Sequence, residues 1–152
     1  ICIIGSGHVG KAVYDIFNFL GWNVSVIDTR SDLLTEESFP FARRVITQSL
    51  LDGLKSIDLN ERTAIVLTLP DALEELSPYL IASPCFYVGV LSSRKRKAPP
   101  VEKFSLPMGL DLGEESPEEI ALSVASEILA RLNKKNARPH KDLKQDFLSS
   151  SI

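Results

Sequence analysis

Apolar positions along the chain fall into two alternating rhythms. Residues 1–4, 23–28, 63–69 and 85–91 are short, nearly continuous apolar runs, and 42–46 is a weaker fifth. Runs of this length, bounded by turn residues, predict strands buried on both faces. Between them the apolar residues recur at helical spacing. Val9, Val13, Ile16, Phe17 and Leu20 predict a helix over 8–20, closed by Gly21 in the glycine stop position. Shorter helices are expected over 49–57 and 71–82, and a polar turn or single helical turn over 31–37. The clearest helix is 116–132. There Ser116 caps, Pro117 takes the first turn and Glu119 completes a capping box. Strands alternating with helices predict an α/β fold, a doubly wound (Rossmann-like) parallel sheet covered on both faces. The expected strand order is 3-2-1-4-5, with a sixth strand around 104–106. The expected domain covers 1–133, and 134–152 reads as a polar tail.

The 152 residues suffice for one domain with its own core. A net charge of −3 argues against a general nucleic-acid binder. No apolar run reaches the roughly 18 residues of a membrane span, and no signal peptide is visible. Cys2 and Cys85 lie inside apolar runs and form neither a metal-ligand pair nor a disulfide framework, so a reducing cytoplasm is the expected compartment. The chain opens inside a strand, which suggests a piece of something longer.

Three stretches carry candidate chemistry. The first is Gly5-Ser6-Gly7-His8-Val9-Gly10, between the first strand and the first helix. In that context the first glycine makes a tight turn, the second lets backbone approach a phosphate, and the third lets the helix pack closely on the sheet. The helix start then offers free N–H groups and a dipole to an anion. Asp28 ends the second strand, near the spacing of about 20 residues at which a carboxylate takes ribose hydroxyls. That favours NAD over NADP, although Arg30 is placed either to pair with Asp28 or to reach a phosphate. His8 either donates to a phosphate or simply faces solvent.

The second stretch is "LSSRKRK", 91–97, expected at the carboxyl edge of the sheet. Ligands bind at that edge in doubly wound folds. Ser92, Ser93 and Arg94 are the candidates for an anion, while Arg96 and Lys97 read as a solvated run. The third is "PMGLDLGEESPEE", 107–119, in which Gly109 and Gly113 bracket Asp111. Asp111 either accepts hydrogen bonds from a ligand or belongs to a structured turn into the last helix.

Taken together, these stretches resemble the C-terminal Rossmann domain of the XdhC family, accessory factors of xanthine dehydrogenase. Family members typically show G-A-G-H-V-G, a strand ending V-D-x-R, then G-x-I-G-S-R-R-K and P-I-G-L-D-I-G-x-x-(T/S)-P-E-E-I-A. The chain matches at 5–10, at Ile27-Asp28-Thr29-Arg30, at 89–97 and at 107–121. The resemblance implies binding of the molybdenum cofactor (molybdopterin), its protection, and its insertion into an apo-molybdoenzyme such as xanthine dehydrogenase. The family often has T-H-x-H-x-x-D after the fourth strand. Here that segment reads Thr68-Leu69-Pro70-Asp71-Ala72-Leu73-Glu74, and only Thr68 is kept as a cofactor contact. The stretch between Lys97 and Pro107 is shorter than usual, and the likeness is to the family's C-terminal domain alone.

The resulting expectation is a cytoplasmic homodimer that acts as a cofactor chaperone, with no assigned catalytic residue, no metal ligand and no nucleic-acid or membrane partner. Two other readings stay open. One is an NAD(H)-sensing regulatory module. The other is an NAD-dependent oxidoreductase, which needs an acid or base near a hydride acceptor; the two histidines lie in the glycine turn and in the tail.

Overall fold

A computed structural model describes residues 1–93 and 96–143. Six parallel strands form one sheet: β1 (Cys2–Ile4), β2 (Ser25–Asp28), β3 (Arg43–Ile46), β4 (Ala64–Leu67), β5 (Tyr87–Val90) and β6 (Phe104–Ser105). Their order is β3-β2-β1-β4-β5-β6, the expected order with the sixth strand at the β5 edge. The order in which strands are added reverses at β1, so the loops leaving β1 and β4 flank the crevice where ligands sit in open α/β sheets.

Alternate strand residues feed two separate cores. Ile3, Val26, Val66 and Tyr87 pack beneath α1 (His8–Phe19) and α4 (Pro117–Leu132), which bring Val13, Phe17, Val124 and Ile128. Cys2, Ile4, Ile65, Leu67 and Val88 point the other way, toward α2 (Leu50–Lys55) and α3 (Leu73–Ala82), which bring Leu54, Leu76 and Leu80. This is why the strands read as unbroken apolar runs: both faces are covered. The weaker reading of β3 has a matching cause, since it is an edge strand with Arg43 and Ile46 exposed.

Helix ends follow the local chemistry. Gly21 adopts φ +79°; its N–H donates to the Asn18 carbonyl and that of Trp22 to the Phe17 carbonyl, a Schellman closure. The Trp22 and Phe17 rings cover it at 4.9 Å between centroids. The segment 71–82 departs from expectation at its start: Pro70–Ala72 is a 3-10 turn that leads into α3. At α4, Ser116 Oγ accepts from the Glu119 N–H and the Glu119 carboxylate accepts from the Ser116 N–H. Ser116→Ala should cost about 1 kcal/mol, and a thermal melt would show the loss.

Among the described residues no helix is long and apolar enough to cross a membrane. Cys2 and Cys85 are free and buried, and burial pushes the Cys2 thiol up to about 12.

Candidate functional site

The glycine turn closes on itself through contacts that exclude side chains at two of its three glycines. Gly5 takes φ +110°, and its N–H donates to the Ile27 carbonyl of β2. A Cβ there would stand 2.1 Å from Thr68 Oγ1. Thr68 in turn donates from both N–H and Oγ1 to the Ile4 carbonyl, at 2.9 and 3.0 Å. Thr68 therefore braces the end of β1 against β4. At Gly10 a Cβ would lie 2.0 Å from the Gly5 carbonyl oxygen, so α1 rests directly on the turn.

Gly7 differs. It is the N-cap residue of α1 with φ −75°, and a Cβ added there meets nothing within 4 Å. No side chain caps this helix end, and its first turn carries no acidic residue. The start of α1 thus presents backbone donors to open space. A Cβ at Gly7 meets nothing within 4 Å, so Gly7→Val should cost about 1 kcal/mol, the loss of a preferred N-cap residue, and lower the melting temperature by about 2–4 °C while filling the approach to those donors.

Beside the turn lies a cleft of about 390 Å³. Ser6, Gly7 and His8 form one wall. Lys11 and Arg30 add cations, Asp32 adds a carboxylate, and Leu33, Ser38 and Phe39 complete the lining. Most charges here are already matched: Lys11 Nζ pairs with Asp15 at 2.5 Å, and Arg30 pairs with Asp28. The uncapped helix start adds unmatched backbone donors, beside His8 and Asp32, which also line the cleft.

Asp28 is fully buried, and both its oxygens are occupied. Oδ2 accepts from the Ser6 N–H at 2.7 Å, from Ser6 Oγ at 2.6 Å and from Arg30 Nη2 at 2.8 Å. Oδ1 accepts from the Arg30 N–H and Nε, both at 3.0 Å. Burial alone would push this carboxyl up. The hydrogen bonds from Arg30 and Ser6 overcome that and hold it well below the usual carboxylate range.

The described residues of the other two stretches reach the same sheet edge but are not among those that line this cleft. Ser92 Oγ donates to the Ser93 carbonyl. Arg94 lies outside the described residues. Arg96, expected to be a solvated charge, instead ties the basic loop to the turn after β4: Nη1 donates to the Pro70 carbonyl at 2.7 Å and Nη2 to Asp71 at 3.2 Å. Gly109 has φ +99°, and a Cβ on it would lie 2.4 Å from Ser123 Oγ. The Met108 N–H donates to the Val90 carbonyl, the Leu110 N–H to that of Ser123 and the Gly109 N–H to Glu127 Oε1, which also accepts from Tyr87 Oη. This turn is therefore seated on β5 and α4, with Asp111 exposed beyond it. Glu127, Lys11 and Ser38 were missed from sequence. Lys11 follows the last glycine of the motif directly and was legible there. Ser38 sits in irregular chain with no signal.

The XdhC Rossmann domain model matches residues 1–128, across the turn, the cleft and the 107–121 motif. The chain belongs to the XdhC Rossmann-domain family. It is 29% identical over 138 residues to a probable xanthine dehydrogenase subunit of Bacillus subtilis (strain 168), covering 85% of this chain and 42% of that protein. It is 26% identical over 143 residues to the uncharacterized protein YqeB of Escherichia coli (strain K12), covering 85% of this chain and 26% of that one. The fold superposes on the crystal structure of a xanthine dehydrogenase from Bacillus halodurans with a TM-score of 0.76 at 22% identity, over 88% of this chain and 44% of that one. This XdhC domain thus spans less than half the length of these relatives.

Where the family resemblance leads one to expect two histidines after β4, this XdhC domain has Leu69 and Asp71. Asp71 is spent on Arg96. Among the described residues no three His, Cys, Asp or Glu side chains gather as a metal site.

Proposed function

We propose that this chain is the cofactor-holding Rossmann domain of a xanthine dehydrogenase accessory protein, and that it binds molybdopterin for delivery to the apo-enzyme. Membership of the XdhC Rossmann family and likeness to a probable xanthine dehydrogenase subunit support the association with that enzyme. The observation that carries the cofactor reading is the open face of Gly7. A phosphate-bearing ligand needs backbone donors that it can touch, and this is the glycine of the turn that leaves such an approach clear.

The residues present fit a pterin phosphate. The N–H groups at the start of α1 would take the phosphate, in a cleft that His8, Lys11 and Ser38 also line. The cleft leaves one side open to solvent, as a carrier that must release its cargo requires. When bound, the cofactor supplies the redox chemistry of the recipient enzyme. This chain's part is to hold the phosphate and shield one face of the pterin.

The test is retention. The full chain, purified from a molybdenum-replete host, should carry pterin that is released on denaturation, and should turn over no xanthine by itself. Purification with NAD(H) in place of pterin would overturn the reading in favour of a nucleotide-sensing module.

A further inference from the structure

Asp28 occupies the place where a Rossmann carboxylate meets the ribose diol of a dinucleotide. To do so it must offer free oxygen lone pairs toward the cleft. Here it offers none. Two carboxylate oxygens present about four acceptor sites, and Asp28 receives five hydrogen bonds. Three of them come from Arg30, through its backbone N–H and through a two-point grip by Nε and Nη2. The other two come from Ser6, the residue between the first two glycines.

The Asp28 side chain is fully buried, while that of Arg30 is 42% exposed and lines the cleft. The guanidinium therefore lies between the carboxylate and any incoming sugar. A ribose could reach Asp28 only by displacing a bidentate charged pair. Two sugar hydroxyls would be a poor exchange, because they bring neither the opposite charge nor the planar two-point fork of the guanidinium.

We propose that Arg30, with Ser6, clasps Asp28 shut, so that a ribose diol gains no hydrogen bond from this carboxylate and the cleft binds a phosphate-bearing ligand no better for having one. The inference deepens the proposed function and rests on the glycine turn being a phosphate site. It names Arg30 as the residue that sets ligand class, and the side chain acts on selectivity without touching a reacting atom.

The fold should survive loss of the guanidinium, since Asp28 keeps the Ser6 N–H, the Ser6 hydroxyl and the N–H of residue 30. Calorimetric titration with ADP and with 2′,3′-dideoxy-ADP therefore tests the clasp. Wild type should bind both weakly and alike. Arg30→Ala should bind ADP at least tenfold more tightly, with no such gain for the dideoxy compound. Arg30→Lys should fall between, because lysine lacks the planar two-point fork. The clasp is overturned if Arg30→Ala gains nothing for ADP, if the dideoxy compound gains as much, or if wild type already prefers ADP tenfold over its dideoxy form. Molybdopterin titrated against the same proteins reads the proposed function separately. Its failure to bind sinks that reading alone if the ADP gain stands, and ADP results without a gain sink the clasp even where molybdopterin binds.

Discussion

Gly10→Ala should destabilise the protein by about 3 kcal/mol, a fall of about 6–12 °C in Tm for a domain of this size. The added methyl would sit 2.0 Å from the Gly5 carbonyl oxygen and 3.0 Å from its carbon. Both are backbone atoms, so no side-chain rotation relieves the contact. Gly5 cannot yield, because its N–H is held by Ile27 and its far side is filled by Thr68. Relief must come from α1 lifting off the turn, and α1 carries Val13 and Phe17, both fully buried. Gly7→Ala is the matched control. It makes the same chemical change three residues earlier, at the N-cap of the same helix and in open space, and should cost no more than about 1 kcal/mol. A pair of urea titrations checks the contrast. Similar midpoints for the two variants would contradict the packing role assigned to Gly10.

The second large effect is at Asp28. Asp28→Asn keeps the shape but turns an amide N–H₂ toward donors of Ser6 or Arg30. Some of those buried donors are then left facing another donor. The expected loss is about 3 kcal/mol at neutral pH, and it should depend on pH with a definite sign. The folded-state pKa of Asp28 is depressed, so at low pH the unfolded chain binds a proton that the folded chain refuses. The stabilisation is therefore complete above the ordinary aspartate pKa of about 3.9 and drains away as pH falls through the lower folded value. The gap between wild type and Asp28→Asn should accordingly be widest at pH 6–7 and narrow below about pH 4. Denaturant midpoints measured across that range will show this. A gap that does not change with pH would mean that Asp28 acts through shape and not charge.

Much of the fold was legible because each strand is covered on both faces and so appears as an unbroken apolar run. The strand order followed from parallel crossovers, and Gly21 and Ser116 marked helix ends through chemistry local to a few residues. What the sequence hid was pairing at a distance. Ser6 occupies the variable place in the glycine motif, yet it supplies two of the bonds that fill Asp28. Asp28 carried the right spacing for a ribose contact, and spacing says nothing of whether its lone pairs are free. Arg30 was legible only as a fork between pairing and ligand binding, and the structure shows the pairing. Arg96 looked like one more charge in a solvated run because Pro70, whose carbonyl it caps, lies across two strands. Glu127 looked like a solvent-face residue of a well-patterned helix, but its carboxylate joins Tyr87 to the Gly109 turn.

The central claim is that the open start of α1 at Gly7 holds a phosphate-bearing cofactor. Titration of purified molybdopterin against wild type and Gly7→Val, with thermal melts on both, tests it most directly. Wild type should bind one equivalent, more weakly as salt rises, and Gly7→Val should bind at least tenfold more weakly while its melting temperature falls by only about 2–4 °C. Equal binding by the two proteins, or none by wild type, would contradict the account.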